Sequence, residues 1–153
     1  LPTMNPRSIG FVSDHSGFWF KDKLINLFKK ENFNTVDYGC FSDMNCDYSD
    51  YVPIACRGLR DSEVDIIIGS CKSGQGVNIC ANHQKNIISV APQDKNQFKY
   101  ARKHNCPNFI TLPSNFWTPH DAFKIYKNVF KTIHFEGGRH STRIQKMLFP
   151  NNI

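Results

Sequence analysis

The chain has 153 residues, enough for one domain with its own core and too short for two ordinary ones. Hydrophobic residues make up 40% and charged residues 21%, a globular composition that excludes wholesale disorder, and no apolar run approaches the roughly 20 residues of a membrane-spanning helix. The formal charge is +6, and it is uneven: residues 1–91 carry 9 Lys/Arg against 10 Asp/Glu, and residues 92–153 carry 10 against 3. That surplus points to an anion site in the C-terminal half.

Five short apolar or β-branched runs are read as strands: Ile9–Val12, Thr35–Tyr38, Asp65–Gly69, Ile87–Ala91 and Asn108–Leu112. Between them lie helical stripes. Phe20, Leu24, Leu27 and Phe28 share one face. Val52, Ala55 and Leu59 make a shorter stripe, with Pro53 expected close to that helix's start. Ala122, Ile125, Tyr126, Val129 and Phe130 form the fullest stripe, preceded by Thr118 as N-cap, Pro119 at the first helical position and Asp121 in the first turn. A last helix is expected after Gly137-Gly138. Strand–helix alternation of this period predicts an α/β fold. The expected architecture is a three-layer αβα sandwich of the Rossmann-like, doubly wound class, with about five parallel strands plus a C-terminal helix. Residues 1–7 are read as a disordered or trimmed segment, 8–148 as one domain and 149–153 as a tail.

Six cysteines, at 40, 46, 56, 71, 80 and 106, contain no Cys-x-x-Cys pair and no His at finger spacing. They are therefore read as reduced thiols of a cytoplasmic protein, most of them in the core, and no metal site is expected.

In doubly wound folds ligands bind beyond the carboxyl ends of the strands. The first strand ends in Ser13-Asp14-His15-Ser16-Gly17, an acid beside an imidazole on a loop entering a helix. Asp14 there is a natural N-cap, and the helix start favours an anion. The third strand runs into Cys71-Lys72-Ser73-Gly74-Gln75-Gly76, a Gly-rich turn whose backbone N–H groups can converge on an oxyanion. It is neither a Walker loop nor a dinucleotide fingerprint. Cys71, near a helix N-terminus and beside Lys72, is placed to be a thiolate, while Cys80 better fits a core thiol. The fourth helix ends in Arg102-Lys103-His104-Asn105. The C-terminal segment Glu136-Gly137-Gly138-Arg139-His140-Ser141-Thr142-Arg143 puts two guanidinium forks four residues apart at a helix start, a phosphate-binding arrangement.

Asp14-His15-x-Gly17, Asp47-Tyr48-x-Asp50-Tyr51, Cys71-x-Ser73-Gly74-x-Gly76, Arg102-x-His104-Asn105 and Glu136-Gly137-Gly138-Arg139-His140-x-x-Arg143 occur in the order and spacing of type B ribose-5-phosphate isomerases. The chain resembles that family, which includes galactose- and allose-6-phosphate isomerases, over residues 8–148. The resemblance implies an aldose–ketose isomerase that needs no metal or cofactor. It implies Cys71 as the base that moves a proton between C2 and C1, and Ser73 as its assisting hydroxyl. Asp14 and His104 would open the sugar ring. His15, Arg139 and Arg143 would hold the phosphate. The turn of Lys72, Gly74, Gln75 and Gly76, with Asn105, would hold the enediolate oxygens, and Tyr48 would line the pocket.

Two positions depart from the family pattern. Lys72 stands where the family usually has Gly, and Asn115 stands where many members carry a substrate-binding Arg. The expected substrate is ribose 5-phosphate, with ribulose 5-phosphate as product. A hexose 6-phosphate isomerase or a sugar-phosphate-binding homologue impaired in catalysis are the alternatives. The expected partners are a small sugar phosphate and a second copy of the chain, in a homodimer or tetramer with shared active sites. Nucleic acid is not expected, because no basic motif interleaved with aromatics appears, and neither is a membrane.

Overall fold

A computed structural model of the chain describes residues 5–150; the expectations for residues 1–4 and 151–153 lie outside the described residues. The strands are β1 (Ser8–Ser13), β2 (Asn34–Asp37), β3 (Ile66–Ser70), β4 (Ser89–Val90) and β5 (Phe109–Thr111). The helices are α1 (Phe18–Lys30), α2 (Tyr48–Arg60), α3 (Gln75–Asn82), α4 (Lys95–Asn105), α5 (Pro119–Thr132) and α6 (Arg139–Leu148). All strand pairs are parallel and the order is β2-β1-β3-β5-β4. Strand order reverses between β1 and β3, which is where a ligand crevice opens in this fold class.

The central strands are buried on both faces, and alternation divides their side chains. Ile66 and Ile68 join Ile9, Phe11, Ile110 and the inner faces of α1, α4 and α5 in one core. Ile67, Val12 and Phe109 join α2 and α3 in the other. Phe28 is the hub of the first core, with Phe11, Phe33, Phe123 and Tyr126 meeting it edge-on at 4.8–5.4 Å between ring centroids. Truncating such a residue to Ala costs about 3–5 kcal/mol.

The Thr118 cap forms as read: its hydroxyl accepts from Asp121 N–H, with Pro119 opening α5. Most strand ends lie within one residue of the sequence reading, and two elements depart from it further. α2 begins at Tyr48, so Pro53 sits more than a turn inside it; the unmade bond falls on Ser49, in an exposed first turn open to water. The fourth strand shortens to two residues, because side chains take over its edge. Asn82 pairs with the backbone of Ser89 through both amide atoms (2.9 and 2.8 Å), and Asn108 Oδ1 accepts from Ile88 N–H at 2.8 Å. The Asn82 pair thereby caps the outer edge at Ser89, while the Asn108 bond lies on the β5 side. Among the described residues no helix is long and apolar enough to cross a membrane.

Candidate active site

The register that pairs Ser13 with Ser70 brings the loops after β1 and β3 together at the carboxyl edge of the sheet. Asp14 is buried there, and its Oδ1 accepts from Ser16 N–H (3.0 Å), Ser16 Oγ (2.6 Å) and Gly17 N–H (3.1 Å). The capping role read from the sequence is therefore real, and it occupies one carboxylate oxygen. Gly17 permits the close approach, since a Cβ there would lie 2.7 Å from Ser70 O. Ser16 then ties the two loops: its Oγ accepts from Lys72 N–H at 3.1 Å.

Cys71 is 4% exposed and packs in the cluster of Val12, Val52, Ile67 and Val77, whereas Cys80 is half-buried. This reverses the expectation for the two thiols. Alternation continues past the strand end, so Cys71 points to the same face as Ile67, toward α2 and α3. The loop after β5 braces the turn from behind, with Ser114 N–H donating to Cys71 O (3.0 Å) and Asn115 N–H to Lys72 O (3.1 Å). Gly74 has φ +79°, and a Cβ there would meet Pro113 Cγ at 2.4 Å. Ser73 Oγ accepts from Gln75 N–H at 3.2 Å. Among the described residues the N–H groups of Ser73 and Gly74 have no protein acceptor. Two fixed donors thus stand just after a buried thiol, a geometry suited to an oxyanion.

Tyr48 opens α2 and lays its ring over Gly76, where a Cβ would fall 2.6 Å from it. His15 Nδ1 sits 3.2 Å from both N and O of Cys46, which leaves Nε2 as the open side of the ring. Burial, then the neighbouring Cys40, pushes the Cys46 thiol up to about 11, so that residue acts here through its backbone.

His104, Asn105, Arg139 and Arg143 form a second cluster elsewhere. α4 follows β4 and must return to start β5, so its C-terminus lies at the amino edge of the sheet. α6 packs on α4 there. Gly137 (φ +69°) and Gly138 (φ +58°) turn the chain into α6, and Arg139 and Arg143 are exposed on its first turns. Glu136 sits between the helices. Its Oε1 lies 3.3 Å from His104 Nε2 and 3.4 Å from His140 Nε2, and its Oε2 lies 3.5 Å from Lys103 Nζ. The two imidazoles stack at 4.3 Å with 13° between their planes. Desolvation raises the Glu136 carboxyl, but Lys103 and His104 outweigh it and hold the group below its ordinary range. Desolvation, then His104 and Arg139, lowers His140.

Within one chain the Cys71 turn and the His104 cluster occupy opposite edges, separated by roughly 15–20 Å of strand. Among the described residues no hydrogen bond or ion pair joins them. Asn105 accordingly lies far from the turn of Lys72 to Gly76, while Asn115 reaches that turn through its backbone.

The donor atoms of His104, Glu136 and His140 lie within 4.8 Å of one another, close enough for a metal ion. Lys103 Nζ, however, already lies 3.5 Å from the other oxygen of the same carboxylate. The arrangement suits an ion-pair cluster.

The contacts made by Ser16, Pro113 and Glu136 are not marked in the sequence. Ser16 and Glu136 stood inside quoted motifs, but nothing in a linear string marks which loops they bridge.

Comparison with known proteins places these residues in context. The ribose/galactose isomerase family profile matches residues 9–147. A Mycoplasma genitalium protein described as a probable ribose-5-phosphate isomerase B is 34% identical over 143 residues, covering 92% of this chain and 93% of that one. The structure of ribose-5-phosphate isomerase B from the same organism, with bound ribulose-5-phosphate, aligns with a TM-score of 0.82 at 33% identity over 92% of this chain and 93% of that one. The Clostridium thermocellum ribose-5-phosphate isomerase B aligns with a TM-score of 0.86 at 28% identity over 92% and 95%.

Proposed function

The chain belongs to the ribose/galactose isomerase family, and we propose that it interconverts ribose 5-phosphate and ribulose 5-phosphate at a site completed by a second copy of itself. The observation that carries the reaction type is the buried Cys71 followed by the free N–H groups of Ser73 and Gly74. The pentose substrate is supported by the ribulose-5-phosphate bound to the Mycoplasma genitalium relative.

The chemistry is an internal redox exchange. Cys71, as thiolate, takes the C2 proton of the open-chain aldose. The C–H electron pair becomes the C1=C2 bond, and the charge moves onto O1, where the Ser73 and Gly74 N–H groups receive it. The proton returns to C1, the O2 proton passes to O1, and the carbonyl re-forms at C2. C1 is reduced and C2 oxidised, so electrons balance without a cofactor. Ser73 assists at the hydroxyls, Tyr48 and Gly76 wall the pocket, and Lys72 and Gln75 line its mouth. Asp14 and His104 open the ring, while His15, Arg139 and Arg143 hold the phosphate. The phosphate is remote from the reacting carbons, so its binding energy orients the other end of the sugar.

The separation of the two clusters within one chain supports a shared site, with Cys71 from one copy and His104, Asn105, Arg139 and Arg143 from the other. Six free thiols support residence in the reducing cytoplasm. A hexose 6-phosphate is the second reading, favoured by Lys72 and Asn115 at positions that usually differ.

A coupled isomerase assay tests the reading, with Cys71→Ala expected to abolish turnover. Mixing inactive Cys71→Ala and His104→Ala chains and refolding them together is expected to restore about a quarter of wild-type activity, through one intact site in each mixed dimer. Equal turnover by wild type and Cys71→Ala, or no recovery on mixing, would sink it. Faster turnover of a six-carbon phosphate would favour the second reading.

A further inference from the structure

We infer that Glu136 is a positioning residue for His104, holding its imidazole with the proton on Nε2 so that the Nδ1 lone pair is free to take the proton of the sugar's anomeric hydroxyl. This rests on the reading of His104 as a ring-opening group.

The geometry around the carboxylate leads there. A carboxylate oxygen only accepts, and a nitrogen lone pair 3.3 Å away from it would be repelled. His104 Nε2, 3.3 Å from Oε1, therefore carries the proton on that side, whereas the buried His140 Nε2 at 3.4 Å makes no hydrogen bond and serves only to stack on the ring. Once Nε2 carries the proton, Nδ1 of the neutral ring carries the lone pair. The buried ring of His140, stacked on His104 at 4.3 Å, fixes the plane of the imidazole. Glu136 is itself anchored to the end of α4, with its N–H donating to Lys103 O at 3.0 Å and Lys103 Nζ at 3.5 Å from Oε2. His104 thus has one nitrogen committed to an anion and the other available, the arrangement that makes an imidazole a directed base.

In ring opening His104 Nδ1 takes the O1 proton, C1=O1 forms and the C1–O4 bond breaks with its electron pair on O4. Water protonates O4, and His104 returns its proton to solvent, so the step balances. A neighbouring carboxylate also favours the imidazolium formed on the way. The charged and titratable groups around the stacked pair are Glu136, Lys103, Arg139 and Arg143, with the Tyr100 ring 5.7 Å from His104. Glu136 is the one anion among them.

The test compares wild type with Glu136→Gln and Glu136→Ala. Ribulose 5-phosphate cannot close a five-membered ring, because its O5 carries the phosphate. Deuterium uptake from D2O at its C1 therefore reports the enediolate step without ring opening. Ribose 5-phosphate turnover is expected to fall about ten- to hundredfold in both variants, while C1 exchange on the ketose stays near wild type. NMR of the ligand-free protein is expected to show the neutral His104 ring protonated on Nε2. Undiminished aldose turnover in Glu136→Ala, equal loss of both reactions, or a wild-type His104 protonated on Nδ1 would each overturn the inference. An undiminished His104→Ala enzyme would remove the ring-opening reading and this inference with it. An impaired His104→Ala enzyme beside an unimpaired Glu136→Ala enzyme would overturn the role of Glu136 alone.

Discussion

Lys72 N–H donates to Ser16 Oγ at 3.1 Å, and the same hydroxyl donates to Asp14 Oδ1 at 2.6 Å. One small side chain therefore sets the spacing between the acid after β1 and the Cys71 turn after β3. Ser16 itself is exposed, so its bonds contribute little to stability. In Ser16→Ala, Lys72 N–H turns to water and the turn loses its tie to Asp14. A loss of about 1 kcal/mol or less in stability is expected, alongside a fall of about ten- to hundredfold in kcat/KM. Thermal melts and the coupled assay on one preparation check both. A melting loss without a rate loss would show that the bridge is only structural.

Gly74 turns the chain from the Cys71 loop into α3 at φ +79°, with Pro113 packed where a Cβ would go. An alanine there meets two costs, the left-handed backbone and a rigid ring 2.4 Å away. The Gly74→Ala protein is expected to lose about 2–4 kcal/mol, read by urea denaturation. The Ser73 and Gly74 donors would rotate away from the oxyanion position, so kcat should fall more than KM changes.

Much of this was readable in advance, and the rest failed for identifiable reasons. Five strands and the Thr118-Pro119-Asp121 helix start follow from side-chain period and cap chemistry, which are local. Cys71 and the Gly-rich turn follow from the strand-end rule. The burial of Cys71 was missed because a sequence does not say which face a residue just past a strand will keep. The contacts of Glu136 are not legible because its partners come from the end of another helix, 32 and 33 residues earlier at His104 and Lys103. The division of the motifs between two edges of the sheet is a matter of topology. Motif order along the chain carries no sign of it.

Lys21 is 2% exposed, an unusual place for an ammonium. Its Nζ donates to Asp37 Oδ1 at 2.7 Å and to Cys40 O, and Asp37 also accepts from Gly39 N–H at 2.9 Å. This pins the loop after β2, whose later part carries Cys46 against His15. Lys21→Met keeps the apolar stem but strands the Cys40 carbonyl. Because Asp37 is partly open to water, the expected loss is about 2–3 kcal/mol rather than the full penalty of a broken buried pair. With the brace on His15 loosened, KM for the sugar phosphate should rise while kcat holds. An unchanged KM would detach the loop from phosphate binding.

The Glu136–His140 pair predicts how acid destabilises the protein, and the two groups act in separate windows. His140 is lowered from its ordinary 6.5 by desolvation, then by His104 and Arg139. The unfolded chain therefore binds its proton first. Stability is full above about 6.5 and falls as the pH drops through 6.5 toward the folded value. Glu136 is depressed from 4.5, with Lys103 and His104 outweighing a desolvation that raises it. Its contribution is present above about 4.5 and is lost as the pH falls through the lower folded value. Melting temperatures followed from pH 8 to pH 3.5 should thus decline in two steps. His140→Gln should flatten the first step and keep the second; Glu136→Gln should flatten the second. Loss of both steps in either single variant would mean that the two groups titrate as one unit, and would contradict their separate assignment.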